Sequence, residues 1–127
     1  MATTIHQFFG VYLDGCRRQH VDTLVACHAL PCVIATPDDQ RLIADRQQLE
    51  EYCHRLIERQ ASRSVSVERF TVRSTLLLGD EFAVANVAWS TIGQNRSLRT
   101  FHAAYNVRRQ NGDWAIWAVT EHEPISD

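Results

Sequence analysis

The hydrophobic and polar residues in the last third of the chain alternate as they do in half-buried β-strands. Three such stretches, 82–92, 98–108 and 114–122, are separated by only a few turn residues. Links this short join antiparallel neighbours in a sheet. In the middle stretch every second residue is apolar: Phe101, Ala103, Tyr105 and Val107. One face of the predicted sheet is therefore apolar and needs a cover.

The first half of the chain carries the helices that can provide this cover. Apolar residues recur at intervals of three and four in the first of them: Ile5, Phe8, Phe9, Tyr12, Leu13 and Cys16. Thr3 or Thr4 is available as its cap. Gly10 and Gly15 weaken this helix, which predicts close approach of another segment at both positions. A shorter helix is predicted over 21–28, and a longer one over 46–60 begins with a capping box of Asp45 and Gln48.

Short β-rich stretches at 32–36 and 41–44 flank a turn at 37–40, which predicts a small hairpin between the second and third helices. The stretch 64–78 changes phase along its length. Val65 and Val67 are in one register, whereas Phe70 and Val72 are in the other. An extra residue in the ladder, a β-bulge near Glu68, explains this change and bends the strand.

The last strand is apolar on both of its faces as far as Val119. A helix covers only one face of a sheet, so the other face is predicted to meet a second subunit. We therefore expect a homodimer through the outer sheet face, including Trp117. The alternative is that Trp117 is a partly exposed aromatic residue with no partner.

Length and composition limit the possible functions. With 127 residues, 45% of them hydrophobic, the chain is predicted to form one domain over 1–127. The net charge of -2 gives no electrostatic reason to expect nucleic acid or a membrane surface as a partner. The first residues lack the pattern of a targeting signal, and no apolar stretch is long enough to span a bilayer. A cytoplasmic location is expected.

The four cysteines lie in apolar segments and are predicted to be reduced, buried side chains. A structural zinc site is the alternative, with ligands drawn from Cys27, His28, Cys32, Cys53 and His54. The spacing from Cys27 to Cys32 is wider than that of a zinc knuckle, and no second close pair follows. We therefore predict no metal and no cofactor.

The order of these elements resembles the nuclear-transport-factor-2-like superfamily, which includes polyketide-cyclase-like (SnoaL-like), ketosteroid-isomerase-like and dehydratase-like proteins. The resemblance lies in residues 8–13, 31–37 and 45–56 and in the final Asn-Gly-Asp-Trp-Ala-Ile sequence at 111–116. It implies an α+β fold in which three N-terminal helices and a small hairpin pack in a curved, mainly antiparallel sheet. It also implies a cystatin-like cone around the long helix, an apolar pocket at the open end and a dimer.

The catalytic groups of a ketosteroid-isomerase-like protein are only partly present. Tyr12 falls at the position of the oxyanion-binding tyrosine, but the general base falls on Thr36 and the second acid near Ala103. A threonine hydroxyl cannot replace a carboxylate as a base near neutral pH. The sequence therefore argues against isomerisation by that mechanism.

Two further patterns are weaker. A dehydratase-like site requires a histidine paired with an acid, but His102 is predicted on the polar face, and no acid is placed by spacing beside His28, His54 or His122. An epoxide-hydrolase-like site requires an acid, an arginine and an acid. Asp45, Arg99 and Glu121 are residues of the right types, although Asp45 already has a capping role. Whether the protein is an enzyme stays open.

The first functional hypothesis is a pocket that binds a small hydrophobic, oxygenated molecule. The residues predicted to line it are Tyr12, Thr36, Tyr52, Trp89, Phe101 and Tyr105. Each of them is alternatively an ordinary core residue. We predict that Trp114, Ile116 and Ala118 point inward, which leaves Glu121 pointing outward. The second hypothesis is a non-catalytic dimeric module that binds a protein through the outer sheet face.

Overall fold

Three helices precede a long sheet, in the order that the sequence predicts. The computed structural model describes residues 3–62, 65–93 and 96–123. Its elements are α1 (Ile5–Arg17), α2 (Val21–Ala26), β1 (His28–Ala35), β2 (Gln40–Ile43), α3 (Arg46–Ser62), β3 (Ser66–Leu78), β4 (Phe82–Ile92), β5 (Leu98–Gln110) and β6 (Asp113–His122). Parts of two predicted elements lie outside the described residues. These are residue 64, the first of the predicted strand 64–78, and residues 94 and 95 of the predicted turn between the strands 82–92 and 98–108. The fold is α+β, as predicted.

The strands form one curved sheet in the order β2-β1-β6-β5-β4-β3. Strand β1 runs parallel to β6, and the other neighbouring pairs are antiparallel. The mainly antiparallel sheet is confirmed, whereas the position of the small hairpin beside β6 was not predicted. Helix α1 packs on β3 and β6, and α3 packs on α2. The sheet therefore curves around α1 as well as around the longer α3.

Side-chain caps begin both long helices. The Thr4 hydroxyl accepts a hydrogen bond from the Gln7 backbone at 3.0 Å, and the Gln7 side chain accepts one from the Thr4 backbone at 2.9 Å. At the start of α3 the Asp45 carboxylate accepts from the Gln48 N–H at 2.9 Å. The Gln48 side chain accepts from Ala44, one residue before the position that a capping box requires.

Helix α2 is two residues shorter than predicted. It ends at Ala26, and the Cys27 carbonyl instead accepts a hydrogen bond from the Ile116 N–H at 2.8 Å. The local pattern continues the helix to His28, but pairing with β6 turns the chain into β1.

The two glycines of α1 also differ. A Cβ atom on Gly15 would lie 3.0 Å from the Thr23 side chain of α2, whereas Gly10 faces open space, so close approach is confirmed only at Gly15.

Strand pairing among the described residues is irregular at four places, one of which lies between β1 and β6, where the register shifts between His28 and Val33. The predicted bulge in β3 is confirmed by a register shift between Val67 and Arg69, and a second shift follows at Arg73. Another lies between β5 and β6, where Ala118 pairs with Asn106 but Ile116 pairs with Val107. Trp117 is therefore an extra residue in β6, and the side chains on either side of it change faces.

The two faces of the sheet have different surroundings. The inner face meets the helices, and its buried core contains Phe9, Leu24, Leu49, Val87 and Ile116 among others. In the part of the chain that the structure describes, the helices pack on the inner face, yet one row of paired residues on the outer face is mostly apolar across all the strands. This row consists of Leu42, Val33, Ala118, Asn106, Val84 and Leu76. Among the described residues, no helix is long and apolar enough to cross a membrane.

Candidate functional site

Aromatic side chains fill the closed end of the cone, between α1 and the inner face of the sheet. The Trp89 indole N–H donates to the Tyr105 hydroxyl at 2.8 Å. The ring centroid of Phe9 lies 4.9 Å from that of Tyr105, and the centroid of Tyr12 lies 5.5 Å from that of Trp89. All four residues are buried. Tyr12, Trp89 and Tyr105 are thus brought together as predicted, but they pack on one another.

Burial also fixes the ionisation of the three tyrosines in this region. Loss of hydration raises the pKa of Tyr12 and of Tyr105 well above its ordinary value, and nearby phenol groups add to the effect. Burial raises the pKa of Tyr52 in the same way, with a further contribution from the Glu121 carboxylate. These phenols are neutral hydrogen-bond donors at physiological pH. Among the described residues, the Tyr12 and Tyr52 hydroxyls have no hydrogen-bond partner.

His28 lies beside these tyrosines, which spacing alone did not indicate. Its side chain is buried, and its ring centroid lies 6.2 Å from that of Tyr12 and 6.1 Å from that of Tyr52. The Nδ1 atom donates to the Leu24 carbonyl at 2.7 Å, whereas Nε2 is buried without a partner among the described residues. Burial lowers the pKa of His28, and the bond to Leu24 opposes this only in part. The imidazole is therefore neutral.

The four cysteines are buried and free, as predicted. Burial raises the pKa of Cys16 and Cys32 to about 11 and that of Cys27 and Cys53 to about 12. At neutral pH these side chains are therefore thiols rather than the nucleophilic thiolates. Within the described parts of the chain, no three histidine, cysteine or acidic side chains lie close enough to hold a metal ion.

A cleft of about 900 Å³ opens at the other end of the cone. Leu56 of α3, Val67 of β3 and Phe101 of β5 supply apolar walls. Phe101 stacks beside Trp89 with a ring separation of 6.4 Å, so this residue of the cleft is in contact with the aromatic cluster of the closed end. The remaining lining residues are Pro37, Arg59, Gln60, Val65, Thr91, Gly93, Ser97, Arg99, Thr100, His102, Glu121, His122 and Glu123.

Glu121 faces this cleft, contrary to the prediction that it points outward. The extra residue at Trp117 shifts the alternation of β6, so Val119 pairs with Tyr105 and Glu121 pairs with Ala103 on the inner face. Trp114 and Ile116 point inward as predicted, whereas Ala118 lies on the outer face beside Asn106. The prediction for Ala118 and Glu121 was wrong because it assumed unbroken alternation through a strand that contains a bulge.

The predicted pocket residues are divided between several places. Phe101 lines the cleft. Tyr52 is half-buried between His28 and Glu121. Thr36 lies in the β1–β2 turn, where its hydroxyl accepts from the Asp38 and Asp39 N–H groups at 3.3 and 3.1 Å. Tyr12, Trp89 and Tyr105 lie in the closed end, and the expected hollow beside Tyr12 is filled by the rings that pack on it. Their roles in ligand binding stay predictions.

Other candidate residues also have clear positions. Asp45 caps α3, so it does not join Arg99 and Glu121, which both line the cleft. His102 pairs with His122 across the strands and points to the polar outer side of β5, as predicted, although both histidines also reach the edge of the cleft. Leu56 and Arg59 were missed as lining residues. Their spacing of three on α3 places both on one helix face, a signal that was available once Leu56 was assigned to the apolar stripe.

Comparisons with known proteins agree with this geometry. The chain is similar to a cystatin-like domain of unknown function from Nostoc punctiforme (13% identity, TM-score 0.74, 98% of this chain and 81% of that one). It is also similar to a ketosteroid isomerase-like protein from Erwinia carotovora atroseptica (13% identity, TM-score 0.66, 94% and 95%). A third similar structure is an NTF-2 like protein of unknown function from Shewanella oneidensis (12% identity, TM-score 0.71, 94% and 96%).

Identities this low indicate a shared fold only. A comparison with curated proteins finds no match. Residues 1–124 match the sequence model of a family described as NTF2-like protein (DUF6841). The match extends over nearly the whole chain and agrees with the helices and the curved sheet described above. The chain therefore belongs to this family of NTF2-like proteins.

Proposed function

We propose that this protein binds a small hydrophobic, oxygenated molecule in the cleft at the open end of the cone. The observation that carries the proposal is the lining of the cleft, in which Leu56, Val67 and Phe101 form apolar walls and Glu121 points inward between them. A volume of about 900 Å³ is within the range of sites for small organic ligands. Such sites combine apolar walls with a few polar groups that orient the ligand.

Two residues next to the cleft support the same proposal. Trp89 is stacked beside Phe101, and Tyr52 lies near Glu121 with a hydroxyl that has no partner among the described residues. Because burial keeps Tyr52 neutral, its hydroxyl donates a hydrogen bond to a ligand oxygen. Tyr12 and Tyr105 contribute by holding Trp89 in place. Thr36 contributes through its turn, which positions Pro37 at the rim.

Glu121 is the group around which any reaction in this cleft would be built. The ketosteroid-isomerase-like resemblance predicts a second acid near Ala103, and Glu121 pairs directly with Ala103 from the neighbouring strand. The position of the general base is still Thr36, whose hydroxyl is engaged in a turn. A carboxylate beside apolar walls accepts a hydrogen bond from a bound hydroxyl compound. The reaction itself is unassigned.

Melting-temperature measurements with a panel of steroids, naphthols and hydroxylated tricyclic aromatics test the proposal. A ligand present at about 100 times its Kd stabilises the folded state by about 2.7 kcal/mol, which is a measurable shift. Phe101→Ala should abolish the shift, and Phe82→Ala, a matched change on the outer face, should retain it. An unchanged melting temperature for every compound, or equal shifts in both variants, would contradict the proposal.

A second candidate function is interaction with another protein subunit through the outer face. The observation that favours it is the mostly apolar row from Leu42 to Leu76, together with Trp117, which is 38% exposed although it is a large aromatic residue. A monomer normally leaves such a face polar. The occupant proposed is a second copy of this chain, giving a homodimer.

Sedimentation velocity distinguishes the proposed homodimer from a monomer. The wild-type protein should sediment as a dimer, and the double variant Leu76→Lys, Trp117→Lys should sediment as a monomer because it places charges in the apolar row. Leu98→Lys serves as the control, since Leu98 is exposed at the start of β5, away from this row. A monomeric wild-type protein, or a dimer that survives the double substitution, would contradict the outer-face dimer.

A further inference from the structure

Two arginines stand at the rim of the cleft on different elements. Arg59 comes from the last turns of α3, and Arg99 comes from the start of β5. Both line the cleft and both are exposed. Within residues 3–62, 65–93 and 96–123, neither guanidinium forms a salt bridge with a carboxylate, whereas Arg18, Arg41 and Arg46 each do. Two guanidinium groups without a salt bridge among the described residues therefore flank the same cleft.

Arg99 lies in a different row of the sheet from Glu121, whereas Arg59 and Glu121 both act on the charge of Tyr52. Arg99 pairs with Thr91, whereas Glu121 pairs with Ala103. Ala103 is four residues farther along β5, so the two rows lie about 13 Å apart along the strand. Phe101 lies between the two rows and provides an apolar surface. Along β5 the cleft thus has a guanidinium group at one end, an aromatic ring in the middle and a carboxylate at the other end, with Arg59 on the facing helix.

We infer that the ligand of this cleft is an apolar molecule that carries a carboxylate, which Arg59 and Arg99 bind at the rim. The inference rests on the proposed ligand-binding function and names the chemical class of the ligand. Arginine binds carboxylates through pairs of parallel hydrogen bonds, which are stronger than neutral ones. A hydroxyl at the opposite end of the ligand would donate to Glu121. The ligand is therefore a hydroxylated apolar acid rather than a neutral lipid.

The other charged groups at the rim are accounted for. Glu123 also lines the cleft, at the end of β6, and it pairs with neither arginine in the structure. His102 and His122 lie at the same end of the cleft and carry no negative charge in either protonation state. Glu123 opposes the binding of a carboxylate, so its replacement by Gln should strengthen that binding.

Isothermal titration calorimetry with 6-hydroxy-2-naphthoate and its neutral amide, 6-hydroxy-2-naphthamide, tests the inference. The two probes have the same shape and differ only in the charged group. We expect the wild-type protein to bind the acid about ten-fold more tightly than the amide, which corresponds to one charge-assisted interaction. Added salt should weaken binding of the acid and leave the amide unchanged.

Variants then assign this preference to the two arginines. The double variant Arg59→Gln, Arg99→Gln should lose the preference for the acid while binding the amide as before, and Arg59→Lys, Arg99→Lys should retain part of it. Arg55→Gln on the same helix and Arg73→Gln on β3 are the matched controls and should keep the full preference. Amide binding and an unchanged melting temperature show that a variant is folded.

The outcomes separate the two proposals. Equal binding of acid and amide by the wild-type protein would overturn the carboxylate inference and leave the proposed function standing. A preference that survives in the double Gln variant would also overturn the inference, since the arginines would not be its source. Absence of binding by both probes, together with an unresponsive ligand panel, would overturn the proposed function and the inference with it.

Discussion

The two ends of the cone are built from similar residues but are packed very differently. At the closed end, Phe9, Tyr12, Trp89 and Tyr105 bury one another and leave only small exposed fractions. At the open end, Phe101 lies directly across from Trp89 on the next strand, with its ring stacked on the indole, yet it is 43% exposed, against 2% for Trp89. One step across the sheet separates a core residue from a cleft residue.

This difference shows that an apolar residue on the inner face is not by itself a pocket residue. The side chains of α1 fill the closed end, because Phe9 and Tyr12 reach both Trp89 and Tyr105. Beyond the end of α1, Leu56 and Arg59 of α3 face the strands across a cleft. The length and position of the covering helix therefore decide where the core ends and a binding site begins.

Truncation of the two stacked aromatic residues gives the largest expected difference between the ends. Trp89→Ala should destabilise the protein by about 3–5 kcal/mol, because it creates a cavity and removes the hydrogen bond to Tyr105. Phe101→Ala should cost less than about 1.5 kcal/mol, since much of its ring is already exposed. Urea unfolding of both variants measures the difference in the free energy of unfolding. Equal losses of stability would show that the open end is packed as tightly as the closed end.

Packing between helices at the closed end is tested by the two glycines of α1. Gly15→Ala should destabilise the protein by about 1–3 kcal/mol, because the added methyl group meets the Thr23 and Leu24 side chains at 3.0–3.1 Å. Gly10→Ala should instead stabilise it by about 0.5–1 kcal/mol, since that position is open and alanine favours the helix. Thermal unfolding of the two variants shows whether each substitution lowers or raises the stability of the protein. Stabilisation by both substitutions would mean that α1 and α2 are not in close contact.

His28 should make the stability of the closed end depend on pH. Burial lowers its pKa in the folded protein, so on acidification below the ordinary value of about 6.5 the unfolded chain takes up a proton first. The free energy of unfolding is therefore highest above pH 6.5, where His28 is neutral in both the folded and the unfolded chain. It decreases as the pH falls from 6.5 toward the lowered pKa that His28 has in the folded protein. The slope from one such group is at most about 1.4 kcal/mol per pH unit.

Urea unfolding between pH 7.5 and 5 measures this slope. His28→Asn should flatten it, because asparagine does not take up a proton in this pH range. A slope that persists in the His28 variant would assign the pH dependence to another group.

The smallest expected effect concerns Thr36, a residue predicted to line the pocket. Thr36→Val removes the acceptor for the Asp38 and Asp39 N–H groups and should destabilise the turn by about 0.5–1.5 kcal/mol. Binding of a cleft ligand should be unchanged, because the hydroxyl is engaged in the turn. Calorimetric titration of the variant measures this. A loss of affinity of ten-fold or more would restore Thr36 as a ligand-binding residue.

Much of the fold could be predicted because its signals are local. The stripe of Phe8, Phe9 and Tyr12 predicts α1, and the change of phase between Val67 and Phe70 predicts the bulge in β3. These features depend on residues close together in the chain. The pairing of β1 with β6 was not predictable in this way, because it joins segments that are far apart in sequence. The early end of α2 follows from that pairing.

The candidate site was predicted less completely, for a specific physical reason. Phe101 was found because apolar alternation places it on the inner face, but alternation does not say how far α1 extends over that face. Tyr12 and Tyr105 were predicted in the pocket lining on the same basis. In the structure they are buried against other aromatic rings, and their roles in ligand binding stay predictions. Arg59 was missed because its partner wall is β5, which is distant in sequence.

The sequence by itself determined the helices, the strands and the apolar inner face, since each is encoded by spacing within a single segment. Only the tertiary structure decided the direction of Glu121. A bulge is readable in β3 because apolar and polar residues exchange faces there, but β6 is apolar on both faces from Trp114 to Val119, so an extra residue leaves no trace in its pattern. Pairing with β5 places that residue at Trp117 and turns the carboxylate toward the cleft.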